Sequence, residues 1–463
     1  MGGFKKVTGA AVAALLLGFA GTTPVLAETI EAALVRAYQS NPQLNSQRAQ
    51  VRVTDENVPQ ALSGYRPKVA ITASAGYQYT DATISSIDGN ARVHGTQFPR
   101  SVGVTATQTL YNGQQTANRT RAAEGQVSAA REGLRVLEQS VLLAASSIYM
   151  DYLRDAAIVE VQRSNVRVLE QTLKQTRDRF NVGEVTRTDV AQSEARLAAG
   201  RTQERAAEAT LNTTRANYRR IIGNEPGQLA PGSPVDRYLP ATLASAVNLA
   251  LTENPNVTAA MFGIDVSFLQ VKVAEGALFP TVSLQVGAQQ AYEQVISQPK
   301  QFVASAIAQV SVPIYQGGAE YSLIRQSKET LAQQRLALEQ VRDQTRATVV
   351  QSWGQLQAAK AQVSSAEAQV RASEIALNGV REEARAGQRT TLDVLNAQQD
   401  LVNARVALVT AQHDRVVASY TVLNAVGRLS PQVLRLPTTI YDPSVHYHQV
   451  RDSWAGVRTP DGR

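Results

Sequence analysis

Apolar residues recur at every seventh position over long tracts of this chain. Leu134, Val141 and Ile148 step by seven, shift by four to Tyr152, then continue through Val159, Val166, Leu173 and Phe180. A second tract places Leu356, Val363, Val370 and Leu377 in the same way. A seven-residue repeat marks helices packed along a coiled-coil seam, and a four-residue insertion locally unwinds it. An ordinary antiparallel helix pair shows the same spacing, so the pattern fixes packed helices without fixing a supercoil. Two other tracts alternate with a period of two. Val69, Ile71, Ala73, Ala75, Tyr77 and Tyr79 share one face, as do Val282, Leu284, Val286 and Ala288. Return strands carry Val102, Val104, Ala106 and Leu110, then Ala306, Ala308, Val310, Val312 and Ile314. These predict strands over 67–79, 100–111, 280–292 and 302–314. Their length suits tilted membrane-spanning strands, though a half-buried soluble sheet alternates identically.

The two sets of elements are copies of one unit. "AYQSNPQL" returns as "ALTENPNV", with Asn41-Pro42 matching Asn254-Pro255 at an offset of 213, and Pro67 falling on Pro280. "LYNGQ" matches "IYQGG" at an offset of 204, and "FNVGEVTRTDV" matches "ARAGQRTTLDV" at the same offset. One nine-residue difference reconciles both offsets and places an exposed loop between the strands of each copy, over 80–99 and 293–301. Proline is absent from 100–225 and from 314–430. Because an interior proline costs a helix about 3 kcal/mol, these stretches read as helical hairpins over 115–182 and 187–222, and over 319–386 and 391–427. A helix of that first length runs about 100 Å, too long for a compact domain. The expected organisation is a leader over 1–27, a first repeat over 28–222, a linker over 223–241, a second repeat over 242–428 and an irregular tail over 429–463.

Composition narrows the function. The chain has 463 residues, no cysteine and a formal charge of +7, with no basic cluster suited to nucleic acid. "MGGFKK", an apolar run and "PVLA" form a secretory leader ending at Ala27, too short in its apolar part to span a bilayer. No comparable apolar run is expected after it, and no cysteine follows it for acylation. His446 and His448 stand two apart without a supporting acidic or cysteine cluster, so they are read as tail residues and no metal or cofactor is expected. Trp353 and Trp454 are read as packing or interface residues. No nucleophile, P-loop or zinc motif occurs in a fitting context, so no catalysis is expected.

Four strands per chain leave two open edges. If the strands lie in lipid, other chains must complete the wall, because an unpaired edge there costs several kcal/mol per group. The leader, the duplicated Asn-Pro helix–strand–strand–long-helix unit, the "LYNG"/"IYQGG" strand ends and the paired turns together resemble the TolC family of outer-membrane efflux proteins. The resemblance spans about residues 28–428. It implies a mainly helical fold with β-structure, in which a homotrimer forms a twelve-stranded outer-membrane barrel and a periplasmic α-helical barrel. It implies a passive exit duct for tripartite efflux or type I secretion, working with a periplasmic adaptor and an inner-membrane translocase of RND or ABC type. A periplasmic helical-hairpin scaffold without a pore is the alternative.

The turns have two readings. Thr186 with Asp189, and Thr390 with Asp393, stand three apart at a helix start and suit a capping box, which explains both acids structurally. The resemblance adds a closed periplasmic tip. Asp393 matches an aspartate of the entrance constriction, while Asn396 stands where the family has a second aspartate. Asp189 and Arg389 match residues of the gate network, and Ala384 replaces a tyrosine of that network. Adaptor contact falls to Val182, Gly183, Glu184, Val185 and Thr186, with Ala386, Gly387, Gln388, Arg389 and Thr390.

Overall fold

The computed structural model describes residues 27–460 and 462, apart from 87–88 and 296–297. The leader expected over 1–27 lies outside the described residues but for Ala27. Each copy opens with short helices: α1 (Ile30–Ser40), α2 (Pro42–Asp55) and α3 (Asn57–Leu62) in the first. The first copy continues through β1 (Lys68–Ala75), β2 (Gln78–Ser86), β3 (Gly89–Gln97) and β4 (Arg100–Asn112) to α4 (Gln115–Asn181) and α5 (Arg187–Ile222). The second runs α6 (Leu243–Glu253), α7 (Pro255–Gly276), β5 (Thr281–Val295), β6 (Gln298–Ser311), α8 (Ala319–Arg385) and α9 (Thr391–Val426). A last helix, α10, covers Ser444–Val450.

Helices α4 and α8 each hold 67 residues, about 100 Å at 1.5 Å per residue. The 36-residue α5 and α9 return along their far halves, and α7 packs beside the near halves. The seven-residue stripe is mostly buried: Leu134, Val141, Ile148, Val159, Val166, Leu173, Leu356 and Leu377 are buried, Tyr152, Val363 and Val370 half-buried, and Phe180, at the tip, exposed. The repeated Asn-Pro pair joins helices end to end. The Asn41 side-chain oxygen accepts from the N–H groups of Gln43 and Leu44, while its amide donates to Ile221 O at the end of α5. Asn254 does the same between the Asn256 N–H and Ala425 O of α9. One amide thus caps the start of one helix and the end of another, and proline at the first helical position gives up no hydrogen bond.

The main sheet is antiparallel in the order β1-β4-β5-β6. Its register makes rows of one character: Val69–Ala106–Val286–Ala306 and Ile71–Val104–Ala288–Ala304 on one face, Ala70–Thr105–Gly287–Ser305 and Ser74–Ser101–Ala291–Gln301 on the other. The apolar face is bare, with Ile71 at 75% exposure. Among the described residues β1 and β6 each have one unpaired edge.

Five expectations are corrected. The segments 80–99 and 293–301 are largely strand, not loop. β2 pairs with β3 as a separate hairpin, and β5 and β6 run on to Val295 and from Gln298. The strand expected over 67–79 breaks at Gly76-Tyr77, opposite Pro99, which has no N–H to continue the ladder. The Phe98 N–H is taken instead by the Glu293 carboxylate at 3.2 Å. The strand expected over 302–314 ends at Ser311, two residues before Pro313. The tail is not wholly irregular, since α10 lies in it. Finally, Leu243–Gly276 contains an 18-residue apolar stretch of mean hydropathy 1.4, where no such run was expected after the leader. Asn254-Pro255 divides it into two helices, the second of which packs on α4 and α8.

Candidate functional site at the hairpin tips

Both hairpins turn in the same way. After α4, Gly183 adopts φ +81°, the Glu184 N–H donates to Arg179 O, and Thr186 starts α5. After α8, Gly387 adopts φ +79°, the Gln388 N–H donates to Glu383 O, and Thr390 starts α9. Glycine is favoured at both because a side chain strains a left-handed backbone. The Thr186 N–H and hydroxyl both donate to Asp189 Oδ2, at 2.9 and 2.7 Å, and the Asp189 N–H returns to Thr186 Oγ1. Thr390 and Asp393 repeat this at 3.0, 2.9 and 3.2 Å. The donors hold both acids below the usual carboxylate range: the Thr186 hydroxyl first for Asp189, the Thr390 N–H first for Asp393. Capping therefore keeps both ionised, and a structural role and a charged role coincide in each.

Within one chain Asp189 and Arg389 do not meet. Asp189 is engaged by Thr186, and Arg389 Nε lies 2.8 Å from Glu383 Oε2. Val182, Gly183, Glu184 and Thr186 are exposed and Val185 half-buried, while Ala386, Gly387, Gln388, Arg389 and Thr390 are all exposed. Asn396 makes a contact that the sequence reading missed. Its side-chain oxygen accepts from Arg196 Nη2 of α5 at 2.7 Å, tying the second hairpin to the first. Beside it Leu395, 3% exposed, packs with Val166, Leu169 and Leu173 of α4 and Leu197 of α5. Near the tips, then, an apolar knob and a polar link both join the hairpins. The one sequence signal for Arg196 is a broken repeat, since its copy at the 204-residue offset is Asp400.

Farther from the tips a buried polar cluster crosses the same boundary. His413 of α9 lies 2.9 Å from Asp151 of α4 and 2.9 Å from its neighbour Asp414. Arg154 pairs with Asp151 and with buried Asp155, which accepts from the Thr214 hydroxyl of α5 at 2.6 Å. Burial works to lower the His413 pKa, but the two carboxylates outweigh it and the net direction is upward.

A membrane-type sheet with one apolar face, mounted on paired helices of about 100 Å, defines an outer-membrane channel subunit. The sequence profile of the outer membrane efflux protein family matches residues 33–224 and 246–428, and the chain belongs to that family. It is 41% identical over 463 residues to the outer membrane efflux protein BepC of Brucella suis, covering 99% of each chain. It is 24% identical to the outer membrane protein TolC of Escherichia coli, over 93% of this chain and 88% of that one. Its fold is similar to the CmeC outer membrane channel of Campylobacter jejuni, with a TM-score of 0.77 at 15% identity, over 91% of this chain and 89% of that one. The protein is an outer-membrane efflux channel, and the pore-less periplasmic scaffold is set aside.

Proposed function

We infer that the chain works as a homotrimeric exit duct, conducting cargo passively from a periplasmic tip to the exterior. The observation that carries this is the sheet, apolar on one face, mostly polar on the other and unpaired at both edges. Three copies joined edge to edge give a closed twelve-stranded wall and leave no bare backbone in lipid. Exposed Leu336, Val350 and Ile375 on α8 supply apolar surface for a neighbouring subunit. The chain itself carries no chemistry in this reading; an inner-membrane translocase of RND or ABC type supplies the energy and a periplasmic adaptor bridges to it.

The tips are the docking end. Val182, Gly183, Glu184, Val185 and Thr186, with Ala386, Gly387, Gln388, Arg389 and Thr390, form the surface for the adaptor. Asp393 lines the constriction as a ring of three carboxylates. Asn396 adds no charge there and instead holds Arg196. Asp189 and Arg389 contribute to the gate between subunits rather than within one. Recording single channels from the purified protein in planar bilayers, with the mass of the assembly measured in detergent, tests the reading. A trimer with discrete conductance steps supports it. A monomer stable in water, without affinity for lipid and without conductance, overturns it.

A further inference from the structure

The C-terminal segment is a strap that climbs the helical body towards the sheet. Leu434 and Leu436 are buried in the central core, and the Tyr441 N–H donates to the Tyr38 hydroxyl of α1. Next, His446 Nδ1 lies 3.0 Å from buried Asp55 at the end of α2. Tyr447 packs on the cluster of Val58, Ala123 and Val127 and under the Arg131 guanidinium, and Arg451 reaches Glu124 of α4. The strap's partners rise from residue 38 to 58 along one side and fall from 131 to 124 along the other. Both sequences lead to the level where β1 begins and β4 ends. There Arg66 donates to Ser453 O, and its guanidinium stacks 4.7 Å from the centre of the Trp454 ring. Arg66 is two residues before β1, yet Trp454 is 72% exposed.

The repeat explains why a tryptophan is brought to this place. At the 213-residue offset Arg66 corresponds to Phe279, which stands before β5 with an exposed ring of its own. Phe279 is level with the end of β4, because a side chain on Gly113 would strike its Cβ. Exposed Tyr65, Tyr111 and Tyr315 flank the same strand ends. The second copy thus owns an aromatic at the foot of its first strand. The first copy has an arginine there and borrows one from the tail. Tryptophan and tyrosine concentrate at membrane–water boundaries, where an amphipathic ring sits at headgroup depth and a guanidinium reaches phosphate.

We propose that Trp454, held on Arg66 by the C-terminal strap, is a membrane anchor inserted among the phospholipid headgroups of the periplasmic leaflet. Exposed Tyr65 and Phe279 stand beside it at the same strand ends. The test uses the full-length protein in phospholipid vesicles and the difference in emission between wild type and Trp454→Phe, which removes the contribution of Trp353. Lipids brominated near the headgroup should quench this difference signal more than lipids brominated deep in the acyl chain. Arg66→Ala should reduce that quenching by about half as the ring loses its cationic seat, while the protein still floats with the vesicles. Quenching by aqueous iodide but not by brominated lipid would place Trp454 in the periplasm and overturn the proposal. Insensitivity to both would mean that another copy covers it, and would overturn it equally. Co-flotation reports whether the sheet is in lipid at all, so a failure of Trp454 to insert is distinguishable from a failure of the channel reading.

Discussion

Removing the Arg196 side chain should favour separation of the two hairpins near their tips. Its guanidinium gives one solvent-exposed hydrogen bond of 2.7 Å to Asn396, from a half-buried Arg196 to an exposed Asn396. A bond to a charged donor is worth about 1.5–3 kcal/mol when sheltered, and solvent competition brings an exposed one to about 1 kcal/mol. Swinging α9 away from α5 breaks it. If three subunits open together the loss is about 3 kcal/mol, on the order of a 100-fold shift towards the open tip. Arg196→Ala and Asn396→Ala should therefore raise open probability alike in planar bilayers, and the double variant should add little to either. Asn396→Asp should act in reverse, because a carboxylate strengthens the link. Leu395→Ala sets the scale: emptying a buried leucine site costs about 2–5 kcal/mol and should loosen the tip further. Wild-type gating in both alanine variants, or opening by Asn396→Asp, would refute the reasoning.

Three further outcomes are expected. Asp393→Asn keeps an oxygen to accept from Thr390 but removes the charge, so reversal potentials should show weaker cation selectivity; an unchanged value would remove Asp393 from the pore. Gly427→Ala should destabilise far more than Gly183→Ala in thermal melts. At Gly183 only the left-handed backbone opposes the substitution, about 1–2 kcal/mol, whereas at Gly427 the new Cβ would also lie 2.6 Å from the Asn254 Cα, adding about 1–3 kcal/mol of overpacking. The third concerns pH. The folded His413 pKa lies above its unfolded value, so its contribution is fully present below about 6.5 and fades as pH rises through the folded value. Asp189 and Asp393 act oppositely, stabilising above the unfolded carboxylate pKa and losing this as pH falls. His413→Gln should flatten the alkaline side of a stability profile, and melting curves over that range check it.

The long helices were legible because their signals are local and redundant. Proline is excluded, a stripe returns every seven residues, and a glycine turn with its Thr–Asp box occurs twice. Strand alternation was legible in the same way, but strand ends were not. Glu293 looks like a loop residue, yet it sits at φ +52° within β5 and binds the Phe98 N–H and Arg100 across the sheet. That contact joins residues nearly two hundred positions apart and leaves no pattern in either strand. Asn396 was visible only as a missing charge. Its partner lies on another hairpin, and no periodicity reports which helix faces which.

A duplicated unit folds twice by the same rules, so positions where the copies disagree are freed from the shared folding requirement and can answer to something else. The capping boxes agree in both copies, which marks them as necessary to turn any such hairpin. At the 204-residue offset, however, Arg196 faces Asp400 and Asn396 faces Gln192. The donor of the observed link therefore belongs to the first copy only, since the second has a carboxylate at the corresponding position. The same logic holds at the foot of the sheet, where Arg66 and Phe279 part, and in the strand connection, where the first copy alone builds the β2–β3 hairpin. In each place the two halves of a near-symmetric chain carry different residues.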